Sequence, residues 1–169
     1  MSSNTDSKPA GGGPLPGLLR PPIVFLAAIL LGIALNRMRP FGFAQGRPLP
    51  WVPSTFGLLG PILTLGAVLL FVLSFREFRA AGTSVRGTER TTTIVRTGPY
   101  RFSRNPIYVA FTLFVLGLSL WLNNLWLLVT LVPAVTIIAV VVIPREERFL
   151  ERNFHDQYSS YKASVRRWL

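Results

Sequence analysis

Side chains able to do chemistry fall into two clusters in this chain. The first is Arg96 to Tyr108, reading Arg-Thr-Gly-Pro-Tyr-Arg-Phe-Ser-Arg-Asn-Pro-Ile-Tyr. It packs Gly98, Pro99, Tyr100, Arg101, Arg104, Asn105, Pro106 and Tyr108 into a short polar stretch that ends where the sequence turns apolar. Guanidinium forks suit carboxylates, tyrosine faces attract cations, and the Asn105 amide both donates and accepts. The second cluster is Glu146-Glu147, following Pro144-Arg145. Two adjacent carboxylates beside anionic lipid need a cationic partner, either the arginines of the first cluster or a bound cation. Plainer readings stand beside these: acids after a proline suit a helix N-terminus, and a basic loop with tyrosines suits a lipid surface. The chain has no cysteine and one histidine, which excludes disulfides, thiolate catalysis and a multi-histidine metal site. No metal is expected.

The elements that must position these clusters are membrane helices. Half of the 169 residues are hydrophobic and 15% are charged, an all-α integral membrane composition. The net charge of +11 does not indicate nucleic acid, because the arginines sit between apolar runs and fit membrane lipids and the positive-inside bias. Residues 1–19, rich in Ser, Gly and Pro, read as a disordered tail, leaving 20–169 as a single membrane domain. Four spans are expected, at about 20–35, 54–75, 107–122 and 125–143. Ser54 is a candidate N-cap, and Gly57, Gly60 and Gly66 offer close packing to the second span. Arg76 to Arg104 reads as a loop holding seven arginines and two glutamates, which places it, and with four spans both termini, on the cytoplasmic side. Asn105-Pro106 disfavours a helical residue at Asn105 and suits a helix starting near Pro106. The last two spans, divided by Asn123-Asn124, form a tight C-terminal hairpin, with Pro133 expected to kink its second arm.

From Pro144 onward, Leu150, Phe154, Tyr158, Tyr161, Val165 and Trp168 recur at steps of three and four. This predicts an amphipathic interfacial helix over about 145–168, returning the C-terminus to the polar loop. None of the three later spans contains a charge, which disfavours an ion-coupled transporter.

Thr97 to Tyr108, the apolar hairpin, Glu146-Glu147, and then Phe154, Tyr158, Tyr161 and Arg167-Trp168 together resemble the isoprenylcysteine carboxyl methyltransferase and phospholipid methyltransferase superfamily. The resemblance covers about residues 55–169, with Gly82-Thr83 fitting a further small motif. It implies a multi-pass enzyme of a bacterial-type inner membrane that uses S-adenosylmethionine. The implied cofactor-binding residues are Gly98, Pro99, Tyr100, Arg101, Arg104, Asn105, Pro106, Tyr108, Glu146 and Glu147, and Arg104, Asn105, Tyr108 and Glu147 are implied in catalysis. Two positions depart from the common pattern: Asn105 stands where many members carry His, and His155 where Gly commonly follows the tail Phe.

Methyl transfer is an in-line displacement, so the protein chiefly aligns nucleophile, methyl and sulfur. An anionic carboxylate or thiolate acceptor needs no base; an amine must lose a proton, and few groups in the sequence offer to take it. The expectation is therefore a lipophilic or small acceptor, a carboxylate or thiol before a phospholipid amine. A membrane scaffold that binds anionic lipid through the basic loop and tail is the non-enzymatic alternative.

Overall fold

The computed structural model describes residues 19–43, 52–81 and 93–169, and the side chains of 52–57 are outside that description. The expected N-terminal tail, the Gly82-Thr83 motif and the Ser54 cap lie outside the described residues or side chains. The described residues contain helices and no strand: α1 (Pro21–Met38), α2 (Val52–Ala80), α3 (Pro106–Trp121), α4 (Trp126–Ile137) and α5 (Ile143–Ser164). One 3₁₀ turn, Gly98–Arg101, precedes α3. A π-helical turn, Ile138–Val142, joins α4 to α5 without interruption.

Three of these stretches are long and apolar enough to cross a membrane: Pro21–Met38, Leu58–Ala80 and the continuous Trp126–Ser164. The 16-residue Pro106–Trp121 is a shorter apolar helix. Leu26, Leu30, Leu58, Ile62, Leu65, Leu69, Val132 and Val140 stand exposed on the outer faces, as side chains facing lipid do. The core lies between helices and is built from Phe25, Tyr108, Val115, Leu127, Leu131, Ile138, Val142 and Ile143. Phe111 of α3 bridges two neighbours, with ring centroids 5.2 Å from Phe25 of α1 and 5.5 Å from Phe71 of α2.

Because lipid is as apolar as leucine, close backbone packing must replace the hydrophobic drive between helices. Glycines allow it at two contacts. A Cβ on Gly117 of α3 would lie 2.4 Å from Thr64 Oγ1, and one on Gly60 of α2 would lie 2.5 Å from the Trp121 nitrogen. Gly32 of α1 meets Leu127 and Thr130 of α4 in the same way. The expectation for Gly66 is corrected: it faces no neighbour within 4 Å.

The hairpin turn is longer than the expected two residues and runs from Leu122 to Leu125. Asn123 takes the left-handed conformation (φ 48°) that asparagine tolerates, and Asn124 Oδ1 accepts from the Trp126 N–H at 3.0 Å. The chain leaving α1 is tied to this turn. Phe41 C=O accepts from the Leu125 N–H at 2.8 Å, and Arg39 C=O accepts from Trp126 Nε1 at 2.8 Å. This end of the bundle is thereby closed by hydrogen bonds to the carbonyls of Phe41 and Arg39.

At the opposite end three boundaries differ from expectation. α2 continues to Ala80, so Arg76, Glu77 and Arg79 are helical and not part of a loop. The helix passes through Pro133, and the departure from α geometry comes later, where the Ile143 N–H reaches back to Ile138 C=O. Pro144 has no N–H to continue the α ladder, which suits a wider turn just before it. The tail is one amphipathic stripe as expected, with Tyr158 and Tyr161 buried and Leu150, Phe154, Val165 and Trp168 half-buried. Its helix, however, ends at Ser164 and is broken at His155 (φ 28°, ψ −106°). Lys162 Nζ and Glu151 Oε1 pair at 2.6 Å across the break.

Two substitutions test this packing. Gly117→Val should lower the unfolding midpoint in detergent, at a cost of about 1–3 kcal/mol for overpacking, whereas Gly66→Ala should leave it unchanged or slightly raised. His155 is exposed and holds a strained positive φ, so His155→Gly should raise the midpoint by the equivalent of about 1 kcal/mol. A lower midpoint would show that the imidazole, not the backbone, sets the break.

Candidate active site

Four segments meet beside the C-terminal end of α2. Glu77, in the last turns of α2, accepts a hydrogen bond from the Thr97 hydroxyl. Gly98 follows with φ 57°, and a Cβ there would lie 2.9 Å from Glu77 Cγ. The positive φ favours glycine here, and the missing Cβ leaves room for the Glu77 side chain. Pro99 then opens the 3₁₀ turn, which brings Tyr100 inward, edge-on to Phe78 with centroids 5.2 Å apart. The tail secures that turn from the other side, Tyr161 Oη donating to Tyr100 C=O at 2.7 Å. Arg96 reaches Gln157 C=O and lies over the Tyr161 ring at 5.7 Å.

Asn105 has φ −130° and ψ 50°, outside the helical region as its proline neighbour requires, and Pro106 is buried at the start of α3. The Asn105 side chain does not cap that helix; its Nδ2 donates to Arg167 C=O at 2.9 Å. Beside it, the Arg104 N–H donates to Arg166 C=O at 2.9 Å. The residues after α5 are thus laid along the loop as an extended strap.

The ionic centre is Glu147, which is 7% exposed. Its Oε1 accepts from Arg104 Nη1 at 2.9 Å and from Arg167 Nε at 3.1 Å, and its Oε2 from Arg167 Nη2 at 2.6 Å. Arg104 also approaches Tyr158 Oη at 3.4 Å. Glu146 is placed differently. Half-buried, it accepts from Tyr108 Oη at 2.8 Å and makes no ion pair among the described residues. Burial pushes its carboxyl up to about 7; the Tyr108 hydrogen bond opposes the rise and the charge of Glu147 adds to it. Burial also pushes the Tyr100 phenol up, reinforced by Tyr161, Glu146 and Glu77. Tyr161 is pushed up to about 12, by burial first and Tyr158 second, against the pull of Arg104 and Arg96.

Two buried polar atoms here have no hydrogen-bond partner among the described residues, Tyr100 Oη and Arg104 Nε. Unpaired buried donors are rare and costly, and both belong to the predicted loop. No group of three or more His, Cys, Asp or Glu able to hold a metal occurs among the described residues.

The sequence pattern of the family described as phospholipid methyltransferase matches residues 56–157, a stretch that contains the loop, the hairpin and both glutamates. The chain belongs to the phospholipid methyltransferase family. It is a membrane methyltransferase. A protein of Haemophilus influenzae described as uncharacterized is 38% identical over 63 residues, which are 37% of this chain and all of that protein. No solved structure matches.

Of the residues expected at the site, Gly98, Pro99, Tyr100, Arg104, Asn105, Pro106, Tyr108, Glu146 and Glu147 come together. Arg101 stands apart, exposed on the 3₁₀ turn with no ion pair among the described residues. Sequence reasoning missed Glu77, counted there as one of two acids in a cationic loop, although a helix continuing past Phe75 would have placed it. It also missed Arg167, whose pairing with Trp168 was seen only as a tail feature.

Glu147→Gln should destabilise the protein markedly, because it leaves the buried Arg104 guanidinium uncompensated. Breaking such a pair costs about 3–5 kcal/mol, and the exposure of Arg167 favours the low end. Thermal unfolding in detergent, with Glu151→Gln at the exposed pair as the near-neutral control, checks this.

Proposed function

We propose that the chain is an S-adenosylmethionine-dependent methyltransferase acting on a lipophilic or small acceptor that reaches the site from the bilayer. The observation that carries this is the pair of unpartnered buried donors, Tyr100 Oη and Arg104 Nε, set in a loop that the methyltransferase family match includes. S-adenosylmethionine supplies an electrophilic methyl group on a sulfonium.

The residues fit such a donor. Arg101, exposed and without an ion pair among the described residues, suits the donor's carboxylate. The ring faces of Tyr100 and Tyr108 suit a cation. Gly98 and Pro99 hold the turn that presents Tyr100, Pro106 fixes the start of α3, and Asn105 and Arg104 hold loop and strap in register. Glu147 contributes negative potential from within its arginine clamp, while Glu146 keeps its Oε2 without a hydrogen bond among the described residues. The apolar outer faces of the helices support lateral entry of an acceptor, and the arginine excess supports a cytoplasmic site with both termini on that side. Isoprenylcysteine-like specificity rests on the resemblance alone, and the family's printed description supports a phospholipid equally.

Tyr100→Phe separates this reading from a purely structural role for the loop. Removing an orphaned buried hydroxyl should leave the detergent unfolding midpoint equal or higher, yet weaken S-adenosylmethionine binding about 5- to 10-fold in calorimetry, the worth of one hydrogen bond. Absence of binding by the wild type in several detergents and lipids would sink the reading.

A further inference from the structure

A threonine just before a helical turn ordinarily accepts a hydrogen bond from one of that turn's own N–H groups. Thr97 stands at this place before Gly98–Arg101, yet its side chain makes no such cap. Its hydroxyl instead donates to Glu77 of α2. Glu77 also breaks a local rule, because an acid three residues from the end of a helix opposes the partial negative charge there. It makes no ion pair among the described residues. Two residues that each forgo their usual local partner therefore meet one another, and local rules broken in favour of a tertiary contact are characteristic of functional sites. The contact grips the 3₁₀ turn from the side of the membrane helices. A Cβ on Gly98 would lie 2.9 Å from Glu77 Cγ and 3.0 Å from its Cδ and Oε1, so the carboxylate lies against the Gly98 backbone. One position further along α2, Phe78 meets the Tyr100 ring edge-on. From the other side Tyr161 Oη holds the Tyr100 carbonyl at 2.7 Å. None of these contacts involves the Tyr100 hydroxyl, which is buried without a partner among the described residues.

We propose that Glu77 is a positioning residue for methyl-donor binding: it latches Thr97 and Gly98 to α2, and this latch holds the Tyr100 hydroxyl where the donor meets it. The proposal rests on the methyltransferase reading and extends it to a helix that need not touch the donor. A hydrogen bond from a hydroxyl to a carboxylate is among the stronger kinds. Here it restrains a short turn whose own backbone hydrogen bonds run from Tyr100 N–H to Thr97 C=O and from Phe102 and Ser103 N–H to Pro99 C=O, at 3.1, 3.1 and 3.2 Å. Without the latch the turn samples more conformations, and the donor must order it on binding, which weakens affinity. Because Glu77 acts through Tyr100, its effect on affinity is bounded by that of the Tyr100 hydroxyl and disappears when the hydroxyl is removed. A residue that served stability alone would leave both relations unmet.

Two measurements on the full chain in nanodiscs test this. Hydrogen exchange without methyl donor should be about tenfold faster at the Tyr100, Phe102 and Ser103 amides in Glu77→Ala and in Thr97→Val, with the amides of α3 unchanged, as local loosening requires. Thr97→Ser, which restores the hydroxyl, should return the exchange to the wild-type rate. Unchanged exchange in both Glu77→Ala and Thr97→Val overturns the latch whatever the donor. Calorimetry with S-adenosylmethionine should then show about fivefold weaker binding by Glu77→Ala and by Thr97→Val, within the worth of the one hydrogen bond they position, and wild-type affinity in Thr97→Ser. Combined with Tyr100→Phe, Glu77→Ala should change affinity by less than about twofold, because the two substitutions remove the same interaction. The same fivefold loss in the Tyr100→Phe background overturns the proposal, since Glu77 would then act independently of Tyr100. Failure of the wild type to bind the donor overturns the methyltransferase reading and the role of the latch with it, and the exchange measurement, made without donor, distinguishes that failure from the absence of a latch.

Discussion

The carboxylate of Glu147 between two guanidinium groups is the interaction on which the site depends. It joins three segments far apart in sequence: the loop through Arg104, the start of α5 through Glu147 itself, and the C-terminal strap through Arg167. The backbone follows the same route, with Arg104 N–H bonded to Arg166 C=O and Asn105 Nδ2 to Arg167 C=O. A carboxylate this buried is costly to desolvate, and a single arginine would leave much of that cost standing. Two guanidinium groups supplying three hydrogen bonds offset it, and the surplus positive charge suits a surface that faces anionic headgroups.

Helix length explains why this clamp sits where it does. Trp126 is tied to the end of α1 through Arg39, which fixes one end of the hairpin. From there, 20 residues at about 1.5 Å each cover about 30 Å, one hydrocarbon thickness, and bring the chain to the glutamates. Because α4 runs through the π turn into α5 without a break, the carboxylates are carried on a rod anchored at its far end. α3 returns along it, with Gly117 letting α2 approach, so Tyr108 arrives level with Glu146. A polar site at the membrane edge is thus positioned by apolar packing in its interior.

Much of this was legible in the sequence for physical reasons. Asn105-Pro106 has few conformations available, so the start of α3 was placed near Pro106, where the helix begins. The two clusters were identified because ionisable groups are scarce in such a chain, and the apolar runs gave the spans. What could not be read depended on tertiary contact. The extension of α2 past Phe75 carries arginines that a hydropathy reading assigns to a loop; in the structure Glu77 binds Thr97 and Arg79 lies 5.8 Å from the Phe75 ring centre. Gly66 has the same local sequence value as Gly60, and only the neighbouring helix distinguishes them. The strap after Ser164 continues the apolar stripe, so periodicity extended the helix to residue 168, while the loop's donors drew its carbonyls into extended pairing. His155 was marked only as a departure from a pattern with glycine, and its φ of 28° supplies the reason glycine suits that place.

The difference between the adjacent glutamates is the part of the site that only the structure could provide. In sequence they are equivalent, and both were assigned to the same ligand. The helix separates their directions, and the partners available in each direction do the rest: Glu147 is clamped by two guanidinium groups, while Glu146 meets the Tyr108 phenol and is pushed up to about 7 by burial. The clamp therefore does more than hold the strap. By engaging Arg104 and Arg167 it leaves Glu146 without an ion pair among the described residues, so that the Tyr108 hydrogen bond opposes the burial of that carboxyl without help from a cation. On this view the number of arginines within reach matters as much as their presence: Arg104 and Arg167 embrace Glu147, while Arg101 is turned out to solvent on the 3₁₀ turn.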